Sequence, residues 1–191
     1  MALVRAVGHD HRVDDRTRVE QILAGDREAY RSLVERETPA VFAACYRILG
    51  RVAEAEDVTQ EAFVLAFRSL ASFRGEGSFG AWIGRIAVRQ SLRRLSQRRE
   101  ESALGDSALA LPAPGPDPLG FAVAEERGEA VRRAVASLPE PYREVVALRF
   151  FADHTLPEIA AATERPLNTV KTHLHRGLAR LRDALAPEVA A

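Results

Sequence analysis

At 191 residues the chain has room for one ordinary domain or two small ones, and its 27 basic and 27 acidic side chains cancel to a formal net charge of zero. A neutral average argues against a nucleic-acid binder, but the charges are segregated: six arginines and no acid lie between Arg85 and Arg99, while Glu54, Glu56, Asp57 and Glu61 cluster earlier. The lone cysteine, Cys45, excludes an internal disulfide framework, and no apolar run is long enough to span a bilayer. With no signal-peptide core in residues 1–17, the expected location is cytoplasmic.

Residues 1–17 read as a flexible tail whose His9 and His11 lack the further ligands a metal site needs. A first helix carries Val19, Ile22 and Leu23 and ends at Gly25. Asp26 then caps a second, with Tyr30, Leu33 and Val34 inward. Thr38-Pro39 is expected to break the chain and open a third helix over 41–49, closed by Gly50. A fourth runs from about Ala53 to Leu70, its apolar positions being Val58, Ala62, Phe63, Leu65, Ala66 and Phe67. Its early carboxylates suit the helix dipole, and with Gln60 and Glu61 they also form a continuous acidic face that could serve a protein partner.

The stretch from Ser72 to Gly80 is a loop by its glycines and serines, yet it holds Phe73 and Phe79, with Trp82 just beyond. Aromatics beside arginines suit stacking on unpaired bases; anchoring the loop to the core is the competing role, for Trp82 above all. In the helix expected over 81–99, Ile83, Ile86, Ala87, Leu92 and Leu95 face inward. Arg85, Arg89, Arg93, Arg94, Arg98 and Arg99 are left outward for phosphates. Residues 100–120, with Pro112, Pro114, Pro116 and Pro118, form a semi-extended linker between two helical domains, 18–99 and 121–187.

The second domain opens with a helix over about 121–136, with Ala130, Val131, Ala134 and Val135 inward. A second helix follows Ser137-Leu138-Pro139 and carries Tyr142, Val145, Val146, Leu148, Phe150 and Phe151. A helix-turn-helix completes it. Thr155-Leu156-Pro157-Glu158 is a capping box with proline in the first turn, and Pro166 starts the next helix. Val170, Leu174, Leu178, Leu181 and Leu185 give that helix a buried stripe. Lys171, His173, His175, Arg176, Arg180 and Arg182 give it a basic face, with no acid between Arg165 and Arg182. A buried stripe backed by such a face suits a helix lying in a DNA major groove. The fold class is all-α: two small helical domains joined by a Pro/Gly-rich linker. There is no phosphate loop, His-Glu-x-x-His, cysteine pair or nucleophile elbow, so the chain reads as no enzyme, with no cofactor and no metal.

Taken together, AGDREAYRSLVERE, AEDVTQEAFVLAFRSLASFRGEGSFGAWIGRIA, SLPEPYREVVALRF and LPEIAAATERPLNTVKTHLHRGLARLR resemble the extracytoplasmic-function (ECF) class of sigma factors in the sigma-70 family. The resemblance implies an alternative sigma factor that binds core RNA polymerase and directs promoter-specific initiation. Asp57, Gln60 and Glu61 match the motif that docks on the clamp helices of the largest subunit. Phe73, Arg74, Ser78, Phe79, Trp82, Arg85, Arg89 and Arg93 match the part that captures and melts the minus-ten element. Arg165, Asn168, Thr169, Lys171, Thr172, His173 and Arg176 match the reader of the minus-thirty-five element, in a domain resting on the polymerase flap. An anti-sigma factor is the regulator the class implies.

Two positions depart from the family pattern: Arg89 and Arg93 stand where an Asn and an Asp are frequent, and Glu164 stands in a turn that often holds glycine. Preferred minus-ten bases therefore do not carry over from the family, and Glu164 is expected to be strained if the turn needs a positive φ. A stand-alone helix-turn-helix regulator leaves the aromatic loop beside the arginine row without a purpose. A polymerase-binding or anti-sigma-like protein that never reads DNA leaves the acid-free face unexplained.

Overall fold

The computed structural model describes residues 14–103 and 118–189. All regular elements among them are helical. Helix α1 (14–23) is followed by α2 (Arg27–Leu49), α3 (Val52–Arg68), a short 3-10 turn (Leu70–Ser72), α4 (Phe79–Ala103), α5 (Pro118–Ser137), α6 (Tyr142–Phe150), α7 (Leu156–Thr163) and α8 (Leu167–Val189). Helices α2, α3 and α4 pack pairwise to form the first domain's core, with Val19 and Ile22 of α1 against it. Helices α5 to α8 form the second domain.

The first part of the chain shows how local signals and packing divide the work. Gly25, at φ 107°, ends α1, and the Asp26 carboxylate accepts from the Glu28 and Ala29 amides at 2.9 and 3.1 Å, capping α2. The expected break at Thr38-Pro39 does not occur; α2 runs through Pro39 as one helix of 23 residues. An interior proline costs about 3 kcal/mol. Leu33, Val41, Ala44, Cys45, Ile48 and Leu49, all buried on one face, outweigh it, since two large apolar side chains stabilise by about as much. The Thr38 hydroxyl donates to the Val34 carbonyl at 2.6 Å within the same turn. Gly50, at φ 72°, ends the helix as expected, its amide donating to the Tyr46 carbonyl.

The tail is shorter than expected. Asp14 and Asp15 already belong to α1, and Asp15 is fully buried: one carboxylate oxygen accepts from the Phe79 amide at 2.7 Å and the other pairs with Arg36. Residues 1–13, including His9 and His11, lie outside the described residues. The linker narrows likewise, because residues 100–103 continue α4 and 118–120 begin α5; residues 104–117 lie outside the described set.

In the second domain α6, α7 and α8 enclose Val145, Val146, Leu148, Ile159 and Val170. The stripe of α8 is not the expected run of leucines. Leu178 is 37% exposed, and Gly177 is buried in its place, close enough to α6 that an added Cβ would lie 2.7 Å from Val146 Cγ2. Val131, expected inward, is exposed, as are the apolar Leu23, Phe67 and Phe150. Helix α4 also packs against α6 and α7, so the two domains touch.

Candidate polymerase and nucleic-acid interfaces

Helix α3 separates its faces by period. Ala55, Val58, Thr59, Ala62, Phe63 and Ala66 are buried, whereas Glu56, Asp57, Gln60 and Glu61 are exposed. Glu54 is not part of that free acidic surface: it pairs with Arg51 at 3.0 Å and Arg98 at 3.6 Å. Asp57, Gln60, Glu61 and Val64 follow one another at steps of three, one and three residues, which keeps them on one helix face, and Val64 and Phe67 are each about half exposed. Phe67 rests its ring 4.9 Å from Tyr30, whose hydroxyl donates to the Phe63 carbonyl. The acidic strip therefore ends in an apolar one, a composition suited to a basic, partly apolar helical partner.

Beyond α3 the loop is built around three rings. Phe73 lies 5.9 Å from Phe79 and 5.6 Å from Trp82, with Phe79 and Trp82 also 5.6 Å apart. Phe79 is completely buried, so its expected contact with a base is replaced by an anchoring role; Phe73 and Trp82 remain partly accessible. Helix α4 starts on two caps, one local and one distant. The Ser78 hydroxyl accepts from the Ala81 amide at 3.1 Å, and Asp15 accepts from Phe79. Asp15 was not legible as part of this site, because nothing in a 64-residue separation signals the pairing. A cleft of about 420 Å³ opens between the loop and α7, lined by Phe73, Arg74, Trp82 and Arg85 on one side and Ala161 and Glu164 on the other.

The arginine row of α4 does not face outward as a unit. Arg89, Arg93 and Arg94 are exposed. Arg98 turns inward, with Nη1 donating to the Leu49 carbonyl at 3.2 Å and a side chain only 19% exposed, because the C-terminal end of α2 has carbonyls to satisfy. Arg85 is also held, its Nε 3.0 Å from Glu144 and its Nη1 donating to the Ala162 carbonyl at 2.6 Å. The side chain of Arg99 lies outside the described residues.

In the helix-turn-helix the capping box forms as expected: the Thr155 hydroxyl accepts from the Glu158 amide, and Glu158 accepts from the Thr155 amide at 2.8 Å. Glu164 adopts φ 54° and ψ 35°, the left-handed region that a glycine would occupy without strain. On α8, Asn168, Lys171, Thr172, His175 and Arg176 are exposed at steps of three and one, a single strip opposite Val170, Leu174, Gly177 and Leu181. His175 thus completes the strip. His173 turns aside, its ring 5.6 Å from Tyr142 and edge-on to it, while Thr169 is partly covered. Burial, and then the charges of Arg165 and Arg176, hold the His173 imidazole below its ordinary pKa of 6.5. Arg165 lies in the turn with Nη2 3.0 Å from Glu144. Among the described residues no cluster of metal-ligating side chains occurs, and no helix is long and apolar enough to cross a membrane.

Comparison with known proteins agrees with this arrangement. Residues 33–101 match the family model described as Sigma-70 region 2, and residues 128–181 match Sigma-70, region 4. The ECF RNA polymerase sigma factor SigW of Bacillus subtilis (strain 168) is 32% identical over 177 residues, covering 88% of this chain and 95% of SigW. The ECF RNA polymerase sigma-E factor of Escherichia coli (strain K12) is 32% identical over 182 residues, covering 91% of this chain and 95% of that protein. Among solved structures, CnrH in complex with the cytosolic domain of CnrY is similar at a TM-score of 0.61 and 24% identity, over 91% of this chain and 97% of that one. RpoE in complex with the anti-sigma factor NepR from Bartonella quintana is similar at 0.52 and 19% identity, over 82% and 96% of the two chains. At those identities the structures speak for the fold, and the sequence relatives for the family. Two helical domains that match regions 2 and 4 in order, with near-full-length similarity to SigW and sigma-E, place this chain in the extracytoplasmic-function sigma factors of the sigma-70 family, as an alternative sigma factor of RNA polymerase.

Proposed function

We propose that the chain divides its initiation work among three surfaces. The exposed strip of Asp57, Gln60 and Glu61 on α3 docks on the clamp helices of the largest polymerase subunit. Phe73, Arg74 and Trp82, with Arg85, Arg89 and Arg93 on α4, take the unpaired bases and backbone of the minus-ten element; Ser78 and Phe79 hold that loop in shape. Asn168, Lys171, Thr172 and Arg176, flanked by Arg165 and joined by His175, read the minus-thirty-five element in the major groove, while the rest of residues 121–187 rests on the flap. The protein performs no chemistry of its own and works in the cytoplasm. Residues 104–117 tether the two readers, so each raises the other's local concentration on a promoter of matching spacing.

The single observation that carries this reading is the pair of opposed strips: an exposed acidic face on α3 backed by a buried one, and an exposed acid-free face on α8 backed by the buried Val170 and Gly177 and the partly buried Leu174 and Leu181. The solved relative RpoE is described in complex with an anti-sigma factor. A partner of that kind, covering one or more of these surfaces, is the regulator proposed here.

The test is in vitro transcription with purified core polymerase on genomic promoter fragments. Specific starts that appear only with this protein, weaken in Asp57→Ala and shift or vanish in Lys171→Ala with Arg176→Ala support both faces. Specific binding to duplex DNA by the protein alone, with no core-dependent transcript, replaces the proposal with a stand-alone regulator.

A further inference from the structure

We infer that Glu144 acts as a stand-in for a DNA phosphate, holding the free chain closed by occupying arginines of both DNA readers at once; this rests on the surfaces proposed above. Glu144 lies in the first turn of α6 with its side chain 6% exposed. Its Oε1 is 3.0 Å from Arg85 Nε and 4.0 Å from Arg89 Nε, and its Oε2 is 3.0 Å from Arg165 Nη2. Arg85 and Arg89 belong to the minus-ten row, and Arg165 to the turn ahead of the minus-thirty-five helix. A two-oxygen anion ringed by guanidinium groups presents the chemistry a backbone phosphate offers. Arg85 donates its Nη1 to the Ala162 carbonyl as well, leaving it poorly placed to bind anything else.

The surrounding contacts close the same seam. Helix α7 walls the loop's cleft, and a Cβ placed on Gly77 would lie 3.3 Å from the Ala161 Cβ. At the far edge Arg47 pairs with Asp153 and donates to the Phe151 carbonyl at 2.8 Å, while His154 Nε2 lies 3.2 Å from the Ala81 carbonyl.

Geometry then decides that this arrangement is not the promoter-bound one. The names of the two elements put them about 25 base pairs apart, which at 3.4 Å per step is on the order of 85 Å. Arg85 and Arg165 share one carboxylate. Both readers cannot reach their elements until Glu144 lets go. Opening breaks the pairs that Glu144 makes, and DNA phosphates then take its place, one anion exchanged for another around the same arginines. In the closed chain Arg85 and Arg165 are therefore withheld from DNA.

The experiment measures fluorescence anisotropy of a fluorescein-labelled, mixed-sequence single-stranded 20-mer with the full chain. Glu144→Gln removes the anion. Asp153→Asn weakens the seam from a side chain that is 71% exposed and lies on neither reader, at a φ of 56° that Asn tolerates. Glu144→Gln is expected to bind the oligonucleotide about fivefold or more tighter than the natural chain, the lower end of ordinary coupling between sites, and Asp153→Asn to bind it tighter by a smaller factor. If Glu144→Gln unfolds, Asp153→Asn carries the test. Gly77→Cys with Ala161→Cys supplies the converse, because that Cβ separation is close to the disulfide range of about 3.5–4.5 Å and Cys45 is buried. The oxidised form should lose core-dependent transcription and regain it on reduction. Equal DNA binding by the natural chain and the opened variants overturns the inference, as does full transcription by the oxidised form. Failure of the natural chain to support core-dependent transcription overturns the proposed function instead.

Discussion

Gly177→Val tests whether α8 is seated by close backbone approach or by a leucine stripe. The first Cβ at this position already lies 2.7 Å from Val146 Cγ2 and 3.5 Å from Tyr142 Cβ. Val146 is 1% exposed and β-branched, so it has no second rotamer to retreat into. Overpacking of a filled site costs about 1–3 kcal/mol, against which the better helix propensity of Val over Gly returns only about 0.5 kcal/mol. The net loss is roughly 0.5–2.5 kcal/mol, or a fall in Tm of about 1–10 °C for a unit of this size. Leu178→Ala, one residue on, removes a side chain that is 37% exposed. It leaves no closed cavity and gains helix propensity, so its cost is about 1 kcal/mol or less. Urea unfolding followed by circular dichroism gives both values. A Gly177→Val protein as stable as the natural one, or a Leu178→Ala protein less stable than it, refutes the close-approach reasoning.

Three further outcomes follow from the same structure. Asp15→Ala should destabilise by roughly 2–4 kcal/mol in urea, since it orphans the buried Phe79 amide and leaves Arg36 with one acid fewer, and it should speed hydrogen exchange at Phe79; slow exchange there would deny the cap. Glu164→Gly should raise stability by up to about 1 kcal/mol by relieving the left-handed residue, whereas Glu164→Val should lower it; equal Tm values for the two would contradict the strain. His173, held below its ordinary pKa in the folded chain, favours the neutral form on folding. Stability present above pH 6.5 should decline as pH falls below 6.5, and His173→Phe should flatten that part of the pH profile relative to the natural chain.

The periodic and punctuating residues carry their meaning locally, which is why so much of the fold is legible before folding is considered. Asp26, Gly50 and the Thr155–Glu158 box act on neighbours within four residues, and the structure uses each as its type dictates. The acidic strip of α3 and the acid-free strip of α8 need only the helical period to be recognised. The left-handed backbone at Glu164 was foreshadowed by the family resemblance instead, since the matching turn often holds glycine. Pro39 was misleading for the same reason: its local preference for a helix start is real, but burial of the long α2 face outweighs it.

Other features depend on residues far apart in the chain, and no window of sequence contains them. Asp15 looks like tail polarity until α1 folds over the start of α4. Arg85, Arg89, Arg98 and Arg94 are equivalent in spacing and type, yet Arg98 caps α2, Arg85 is clasped to Glu144, Arg89 lies at the edge of that clasp, and Arg94 faces solvent. Glu144 itself sits in an otherwise ordinary amphipathic segment, and only the packing of α4 on α6 and α7 makes it the point where Arg85 and Arg165 meet. Helical period and capping chemistry are properties of adjacent residues, so the sequence alone determined the elements and their surfaces. Which arginines are held and which face solvent is a matter of charges brought together across 59 residues of chain between Arg85 and Glu144, and tertiary structure alone decided it.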